Sequence, residues 1–415
     1  MKKKFLAFLI TAALAVGMCP AAAFAAPAAQ GDGLMAAQVE VPLDAAAADP
    51  ACMLVDKAGN LWQCTSTGAP VSMVWENYSA FYDQKNIVKK VFVAADVTTY
   101  NREAKYSYKN YSGNVLSSTQ YLNSTFSKAT ELHFLTGTNG LSACKVLPAD
   151  AFSGWSNLQS VVNFDKTQIA SLAKNQFSYT SLKSIVLPNT CKTISTYAFA
   201  GCTALASVDA SKAKVASIGT YAFSRCTALK TVILPATVKT IGAYAFNGCS
   251  KLTTVKNLNK TKITKVNKST FYGCAALKSV VLPKTCKTIG DDAFWDCKKL
   301  SKITFGSKTT TIGSWAFRGC KSLKSISLPA TCKKIGSFAF SHCTSLKKVT
   351  LKSKTVVRNA KKASYYMDDV FFKTPIAKKG GTARIYVPKS VLAKYKSKSY
   401  NNKWHYISPS RFRAI

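Results

Sequence analysis

Acidic side chains are nearly missing from the second half of this 415-residue chain. The last glutamate is Glu131, and residues 144–354 hold 32 lysines and arginines but only 6 aspartates. The whole chain carries a formal net charge of +39, and its 47% hydrophobic content excludes a wholly disordered chain. A field of this size and sign attracts polyanions over a long range and weakens as salt is added. Composition alone therefore favours anionic partners.

Histidine is equally scarce, since the chain has only His133, His342 and His405, far apart in sequence. Acid–base catalysis and most metal sites require histidines or carboxylates that converge on one pocket. We therefore predict no catalytic residue, no metal ligand, no cofactor and no enzymatic activity. A hydrolase that carries the repeats described below as an accessory module is the competing hypothesis. The stretch left for its catalytic domain, 51–143, is short.

Long apolar runs are limited to one place, residues 5–16. Three lysines precede this run and Ala23-Phe24-Ala25 follows it, which is the layout of a secretory signal with a small-residue cleavage site. The run is shorter than the ~20 residues of a membrane-spanning helix. The sequence thus predicts a signal peptide at 1–25, a flexible alanine-rich leader at 26–50, and a mature chain without a membrane span.

What the chain has instead is an internal repeat, and the repeat decides the fold class. A phenylalanine, usually preceded by alanine, recurs every 22 to 25 residues at Phe152, Phe177, Phe199, Phe223, Phe246, Phe271, Phe294, Phe317 and Phe340. Around it, the copies share Leu-x-x-Ile/Val-x-Leu-Pro, then Ile-Gly, Ala-Phe and Gly-Cys. Nine copies therefore follow one template.

Each copy predicts a short strand. In residues 279–283 the alternation puts Val280 and Leu282 on one face, and Pro283 ends the strand because proline cannot donate to a ladder. Gly290 suits a tight corner with left-handed backbone. A unit of ~23 residues cannot close a core alone, whereas stacked units build continuous inward columns. The repeat therefore predicts a solenoid.

These motifs resemble the BspA-like leucine-rich repeats of bacterial surface proteins. The resemblance implies a mainly β fold, a leucine-rich-repeat solenoid with short parallel strands and about nine turns of ~23 residues over 144–354, capped at both ends. The N-terminal cap would cover 51–143, with a hairpin and degenerate first repeats, and the C-terminal cap 355–415. The resemblance also implies an exported, adhesin-like protein that is secreted or held at the cell surface without a covalent link.

The 14 cysteines contain no Cys-x-x-Cys, so zinc-ribbon and thioredoxin-like sites have no support. Seven of them, beginning with Cys202, stand three residues after the repeat phenylalanine. Cys191, Cys286 and Cys332 share a second repeat position, where other copies have valine or isoleucine. Both columns are interpreted as small buried hydrophobic side chains.

Two cysteines lie in the predicted N-terminal cap. Cys52 and Cys64 flank residues 57–60, whose turn-forming residues predict a β-hairpin. In an exported protein a disulfide between Cys52 and Cys64 could close this hairpin, and two thiols without that bond are the alternative. The sequence does not decide between the two.

Lysines repeat with the template and form the candidate polyanion-binding site. One set directly follows the repeat leucine and the other precedes the repeat isoleucine by two residues: Lys183, Lys230, Lys278, Lys324 and Lys347, and Lys192, Lys239, Lys287 and Lys333. Stacking would arrange them in rows with spacings of about 5 to 10 Å, which suits a linear polyanion. Solvation of the stacked sheet is the alternative role of the same lysines.

The outward side of the strands is a second candidate surface. Its chemistry varies between copies while the inward positions stay apolar, as on a recognition face. The positions are Val186, Asp209, Ile233, Lys256, Val281, Thr304, Ser327 and Thr350. Aromatic residues are not interleaved with the lysines, so single-stranded nucleic acid is not a favoured partner.

The predicted function is that of an exported, non-enzymatic binding protein with a basic repeat surface. Its predicted partners are host or bacterial surface proteins, extracellular matrix, or anionic glycans and wall polymers. Retention on cell-wall polymers or acidic glycans by charge alone is the alternative to adhesin-like recognition.

Overall fold

The computed structural model describes residues 52–56, 61–64, 67–72, 74–75, 88–97, 103–109, 114–121, 128–359, 370–378, 380–397 and 407–415, with the single positions 48, 112 and 126. The predicted signal peptide and nearly all of the predicted leader lie outside these residues. One continuous cluster of buried side chains runs from Cys52 to Phe412. The hydrophobic core is therefore shared by all parts of the described chain.

Short parallel strands form the front of the molecule, one for each repeat. Within each of four successive sheets they pair in register, so that Ile185, Val208 and Val232 lie side by side with their side chains buried. The following Leu187 is also buried, which gives the inward column its second apolar layer. The front strands are Ser160–Val162, Ser184–Val186, Ser207–Asp209, Thr231–Ile233, Thr254–Lys256, Ser279–Val281, Lys302–Thr304, Ser325–Leu328 and Lys348–Leu351.

A second set of parallel strands, two residues each, follows the proline corner and forms the side of the molecule. In the pairs from Ser171–Leu172 to Lys334–Ile335 the first residue is exposed or half-exposed and the second, usually isoleucine, is buried, as in Thr193–Ile194 and Thr240–Ile241. The side strands are Ser171–Leu172, Thr193–Ile194, Ser217–Ile218, Thr240–Ile241, Lys265–Val266, Thr288–Ile289, Thr311–Ile312, Lys334–Ile335 and Arg358–Asn359.

The third side, here called the turn side, consists of stacked turns around the repeat phenylalanine. Main-chain hydrogen bonds join neighbouring turns, as from Phe199 N to Ala222 O at 2.8 Å. The phenylalanine rings form one buried ladder with centroids 5.1 to 5.8 Å apart, from Phe152 through the eight other repeat phenylalanines to Phe371. These three sides confirm the predicted solenoid of short parallel strands.

The front sheet continues beyond the repeats at the N-terminal end. Strands Cys52–Val55, Lys90–Val93 and Glu131–Phe134 stack in parallel ahead of Ser160–Val162. Leu61–Cys64 then pairs antiparallel with Cys52–Val55, and Pro70–Ser72 pairs antiparallel with Leu61–Cys64. The reversal of direction lets a hairpin close this end of the parallel stack. A separate small sheet joins Val74–Trp75, Glu103–Lys109 and Val115–Tyr121.

The C-terminal end also continues the front sheet. Arg384–Val387 pairs in parallel with Lys348–Leu351, and Phe412–Ala414 pairs with Arg384–Val387. The helix Lys389–Lys396 packs over this end, and the Tyr395 hydroxyl accepts a hydrogen bond from Val357 N at 2.8 Å. Three short 3-10 turns, Phe164–Lys166, Leu258–Lys260 and Pro409–Arg411, complete the secondary structure of the described residues.

Glycine is required after the repeat isoleucine for a reason other than the predicted one. The backbone of Gly290 is not left-handed. A Cβ at this position would instead lie 2.8 Å from Asn267 C and from Lys268 N on the preceding rung, where a rung is one turn of the solenoid, formed by one repeat. The prediction of a left-handed corner at this glycine was therefore wrong. Left-handed backbone occurs two residues before the repeat phenylalanine, where the side chain is often large, as at Tyr244 with φ 58°. Glycine follows isoleucine because two rungs approach closely there.

None of the helices in the described part of the chain is long and apolar enough to cross a membrane.

Candidate binding surfaces

The front recognition positions lie in register on exposed or half-exposed strand faces. Val186 is aligned with Asp209, Ile233 and Lys256 across four paired strands. The remaining positions form two further aligned groups: Val281 with Thr304, and Ser327 with Thr350. The second of these groups continues into the C-terminal strands through Tyr386 and Arg413. The structure thus gathers all eight positions on one side of the solenoid, in rung order.

The first lysine row consists of Lys183, Lys230, Lys278, Lys324 and Lys347, each one residue before a front strand. All five side chains are exposed. Main-chain hydrogen bonds fix the alignment, because Ala206 N donates to Lys183 O and Lys230 N donates to Ala206 O, both at 2.8 Å. The lysine position is therefore a straight column along the stack, with Ala206 between two of the lysines.

The second lysine row consists of Lys192, Lys239, Lys287 and Lys333, each one residue before a side strand. These side chains are also exposed. Ala216 N donates to Lys192 O and Lys239 N donates to Ala216 O, again at 2.8 Å. The two rows are thus separated along each repeat by a front strand and the corner that follows it.

Few carboxylates lie near these rows. Among the described residues the ion pairs are His133–Glu131 at 2.7 Å and Lys166–Asp165 at 3.7 Å, and neither includes a row lysine. Asp209, on the front, is engaged by the main chain of Ser211, whose N donates to Oδ1 at 2.8 Å. The positive charge of the rows is therefore not neutralised by the described part of the chain.

The main cysteine column is buried and has a structural role. Cys249 Sγ donates to Phe223 O of the preceding rung at 3.0 Å, and the same bond recurs from Cys202 to Cys343 at 2.9 to 3.2 Å. All seven side chains are fully buried. The interpretation as small buried side chains is confirmed, with a hydrogen bond to the backbone that the sequence did not indicate.

Burial also suppresses the reactivity of these thiols, because the thiolate is the nucleophile. Loss of solvation raises the pKa of Cys191, Cys286 and Cys332, in the second column, to about 11. In the main column it raises the pKa of Cys226 and Cys320 well above the usual value. These five thiols are therefore weak nucleophiles at neutral pH, whereas hydrogen bonds from Cys226 and Thr180 lower the pKa of Cys202 against the effect of its burial.

The two N-terminal cysteines face each other across the hairpin. Met53 pairs with Gln63 and Val55 with Leu61, which sets Cys52 opposite Cys64. Both side chains are fully buried. The register meets the first requirement for a disulfide, which is that the two residues are direct neighbours. The bond itself stays a prediction.

The turn side carries an aromatic ladder that the sequence reading did not identify. Tyr197, Tyr221 and Tyr244 stack with ring centroids 5.0 and 4.6 Å apart and ring planes within 9°. All three have left-handed backbone, with φ between 56° and 59°. The signal was available, since tyrosine stands two residues before the repeat phenylalanine in three successive copies.

Farther along the turn side, a second series of aromatic side chains comes from two repeat positions, the one two residues before the ladder phenylalanine and the one directly after it. Neighbouring rings lie 5.4 to 6.4 Å apart in the series Tyr272, Trp295, Trp315, Phe338 and Phe372. The Arg318 guanidinium lies 4.4 Å from the centre of the Trp295 ring. Burial, together with the charge of Arg318, lowers the pKa of His342, which borders this series. Trp295 thus has an aromatic neighbour on each adjacent rung and a cation beside its ring.

A family model described as a BspA type leucine rich repeat region matches residues 170–268 and 264–370, in six copies. Three solved structures illustrate the similarity. A leucine-rich repeat protein from Bacteroides ovatus is 18% identical over 88% of this chain and 92% of its own, with a TM-score of 0.39. A leucine rich cell surface protein from Faecalibacterium prausnitzii is 21% identical over 82% and 86%, with a TM-score of 0.38.

The third structure, a leucine rich repeat protein from T. pallidum, is 29% identical over 40% of this chain and 78% of its own, with a TM-score of 0.36. No curated protein sequence matches the chain. The family match rests on the repeats themselves and covers the same turns that carry the two lysine rows.

Proposed function

We propose that this chain is an exported, non-enzymatic binding protein of a bacterial surface, because its residues 170–370 match a model of BspA-type leucine-rich repeats. Repeat solenoids present extended surfaces and leave specificity to a few outward residues. In this chain those residues are the two lysine rows and the eight front positions. The predicted caps at 51–143 and 355–415 would protect the two open ends of the stack.

One observation carries the proposal. The nine row lysines are exposed, aligned along the stack, and outside the ion pairs of the described residues. Lysines that merely solvate a sheet need no alignment, whereas a linear or multivalent anionic partner gains avidity from it. The partners that fit are acidic patches of surface or matrix proteins and anionic glycans. Contacts of this kind are individually weak and strongly salt-dependent.

The test compares two variants of equal charge. Lys230, Lys239, Lys278 and Lys287 are changed to glutamate in one, and four exposed lysines outside the rows, Lys251, Lys262, Lys298 and Lys308, in the other. Binding of the full mature chain to immobilised heparin is measured as the salt concentration of elution. We expect the row variant to elute near the start of the gradient and the control to stay close to the wild type.

Circular dichroism of both variants checks that the fold is intact. An equal loss of heparin binding in the two variants would show that binding depends only on the net charge. Unchanged heparin binding in both variants would reject the lysine rows as the binding site and favour the front positions. Val186→Glu and Val281→Glu would then test the front positions for binding to matrix proteins.

A second candidate is retention of the protein on anionic wall polymers by its charge alone. The net charge of residues 144–354, 32 basic against 6 acidic residues, favours it. It predicts that the two glutamate variants lose wall-polymer binding to the same extent. Binding at physiological salt no stronger than that of a neutral repeat protein would reject it.

A further inference from the structure

One surface of this basic solenoid is almost free of charge. It comprises the side strands and turns of three successive rungs, and we call it the tyrosine surface: residues 193–206, 217–229 and 240–250. Arg225 is the only charged residue in these ranges, although residues 144–354 hold 32 lysines and arginines. Row lysines such as Lys239 stand just outside its borders. A polyanion therefore finds its cations beside this surface and not on it.

The centre of the tyrosine surface is the stack of Tyr197, Tyr221 and Tyr244. Tyr197 N donates to Thr220 O at 3.1 Å and Tyr221 N donates to Ala243 O at 3.0 Å, which aligns the three residues along the solenoid. Their rings stack face to face, so a ligand meets ring edges and hydroxyls. None of the three hydroxyls has a hydrogen-bond partner in the part of the chain that the structure describes.

The fold does not require these hydroxyls. On earlier rungs Asp150 and Asn175 fill the same repeat position, and both residue types accept left-handed backbone more readily than tyrosine does. On a later rung Phe338 fills it and stacks on Trp315 without a hydroxyl. Stacking therefore accounts for the rings, whereas the three hydroxyls have no role within the described residues.

Further hydroxyl and amide groups surround the tyrosine stack. Thr193, Thr196 and Thr220 precede the repeat phenylalanine and Thr203 and Asn247 follow it, all at exposed or half-exposed positions. Their side chains also make no hydrogen bond within the described ranges. Hydroxyl and amide groups both donate and accept, whereas the lysine ammonium only donates. The tyrosine surface therefore matches a ligand rich in hydroxyls, and the lysine rows match anions.

An exposed aromatic ring adjoins the N-terminal end of the tyrosine surface. Tyr179 is 64% exposed, and Tyr179 N donates to Ala200 O at 2.8 Å on the next rung. A Cβ at Gly201 would lie 2.5 Å from Tyr179 Cδ1, so glycine at this position leaves room for the ring. No other ring of the described chain stacks on Tyr179. Its ring is therefore available to the apolar face of a ligand.

The height of the tyrosine surface favours a small partner. Together with the rung of Tyr179 it includes four rungs, which are about 19 Å tall. A stable protein interface buries about 800 Å² on each partner and is richest in tryptophan, tyrosine and arginine at its centre. A few linked sugars need less area, and they combine apolar C–H faces with hydroxyls, as this surface does.

We propose that the tyrosine surface binds an uncharged oligosaccharide. One sugar lies against the Tyr179 ring, and hydroxyls of the following sugars exchange hydrogen bonds with Tyr197, Tyr221 and Tyr244. This inference goes beyond the proposed function, because it concerns a different side of the solenoid and uses no lysine. Binding between uncharged groups is not screened, so the affinity should not depend on salt.

The test removes hydroxyls and keeps rings. In the hydroxyl variant, Tyr197→Phe, Tyr221→Phe and Tyr244→Phe preserve the stack and delete only three oxygen atoms. Tyr386→Phe, on a C-terminal front strand, is the matched control. A third variant, Tyr179→Asn, removes the exposed ring and introduces a residue type that has the same left-handed backbone at Asn175. Thermal unfolding of each variant verifies the fold.

The probes are four uncharged oligosaccharides: cellohexaose, chitohexaose, maltohexaose and mannohexaose. Their binding to the full mature chain is followed by ligand-observed NMR titration at about 50 and 500 mM salt. We expect at least one probe to bind with a dissociation constant of about 1 mM, changed less than about twofold by salt. The hydroxyl variant and Tyr179→Asn should each lose about tenfold in affinity, and Tyr386→Phe less than about twofold.

The inference is rejected if none of the four probes binds at about 10 mM. It is also rejected if the hydroxyl variant binds as tightly as the wild type, or if the glutamate variant of the row lysines loses the oligosaccharide. A chain that dimerises in sedimentation, with a monomeric hydroxyl variant, would assign the surface to a second copy instead. Heparin binding reports on the lysine rows alone, so either proposal can fail while the other stands.

Discussion

The interior and the lysine surface of this solenoid repeat with different periods. Inside, phenylalanine stacks on phenylalanine at every rung, with centroids as close as 5.1 Å, and each column thiol binds the rung before it. Outside, the row position from Lys183 to Lys324 holds a lysine only on alternate rungs, while exposed lysines such as Lys265 and Lys302 stand at other positions of the rungs between. Interior residues are selected by the same residue one rung away, whereas surface residues are free to follow something outside the molecule. The difference separates what the fold needs from what a partner needs.

The largest effect should come from raising the pH. Burial raises the pKa of thiols in both columns, among them Cys286 to about 11, whereas an unfolded cysteine ionises near pH 8.5. The contribution of these thiols to stability should therefore be constant below about pH 8.5 and fall above it, because the unfolded state releases their protons first. Each thiol contributes up to about 1.4 kcal/mol per pH unit.

Urea unfolding of the reduced protein between about pH 7 and 10.5 measures this slope. Replacement of Cys286 and Cys332 by valine, the residue of another rung, should make the slope shallower. A pH-independent midpoint would contradict the burial of the columns. Thiol-labelling reagents should also leave the native Cys249 unmodified at neutral pH.

The next largest effect is expected inside the ladder. Phe246→Ala removes a fully buried ring that stacks on Phe223 and Phe271 at 5.2 and 5.3 Å. The free energy of unfolding should fall by about 3–5 kcal/mol. Chemical denaturation checks the value. Phe246→Leu keeps most of the volume and should cost clearly less, so equal losses would argue against a packing origin.

The third largest loss of stability is expected where two neighbouring rungs approach closely. A Cβ at Gly242 would lie 2.5 Å from Gly219 C and Thr220 N, so Gly242→Ala should cost roughly 1–3 kcal/mol. Gly137→Ala is the control, because its Cβ would meet nothing nearer than 3.7 Å. Thermal melting of the two variants tests the comparison. A tolerated Gly242→Ala would mean that the rungs can separate locally without cost.

The fourth prediction concerns the tyrosine ladder, which lies on the surface but, like the interior columns, repeats on successive rungs. Tyr221→Ala removes contacts to Tyr197 and Tyr244 and should cost about 0.5–1.5 kcal/mol. Tyr221→Gly relieves the left-handed backbone at φ 56° and should therefore lose less than Tyr221→Ala. The reverse order, measured by denaturation, would show that backbone conformation is not a cost at this position.

The smallest effect on stability should come from the lysine exchanges. Lys239→Thr combined with Thr264→Lys, or Lys278→Ser with Ser301→Lys, changes only exposed side chains outside the described ion pairs, so the free energy of unfolding should change by no more than about 0.5 kcal/mol in chemical denaturation. A larger loss would mean that the lysine period serves the fold, and the contrast between interior and surface would disappear.

The interior was predictable from the sequence because each buried position repeats with its neighbours. The period of phenylalanine at Phe152 to Phe340 was enough to predict the stack, and the alternation around Val280 gave the face of each front strand. The lysine sets were also visible, but their arrangement on alternate rungs required the register between strands.

Other features were not accessible because they depend on contacts between rungs. The approach of Gly290 to Asn267 joins residues a full repeat apart, so a local rule assigned that glycine the wrong conformation. Tyrosine at a left-handed position contradicts the usual preference for glycine, and only the stacked rings of Tyr197, Tyr221 and Tyr244 account for it. The hairpin register of Cys52 and Cys64 likewise needed the paired strands.

The thiol bonds give the stack a direction. Each column cysteine donates to a phenylalanine carbonyl on the rung that precedes it in sequence, as Cys343 does to Phe317 O at 3.1 Å. A polypeptide that emerges N-terminus first thus finds the acceptor for each new thiol already in place. Removal of terminal rungs would accordingly expose different groups at the two ends, since loss from the N-terminal side leaves column thiols without acceptors, whereas loss from the C-terminal side leaves backbone N–H groups such as that of Phe199 without theirs.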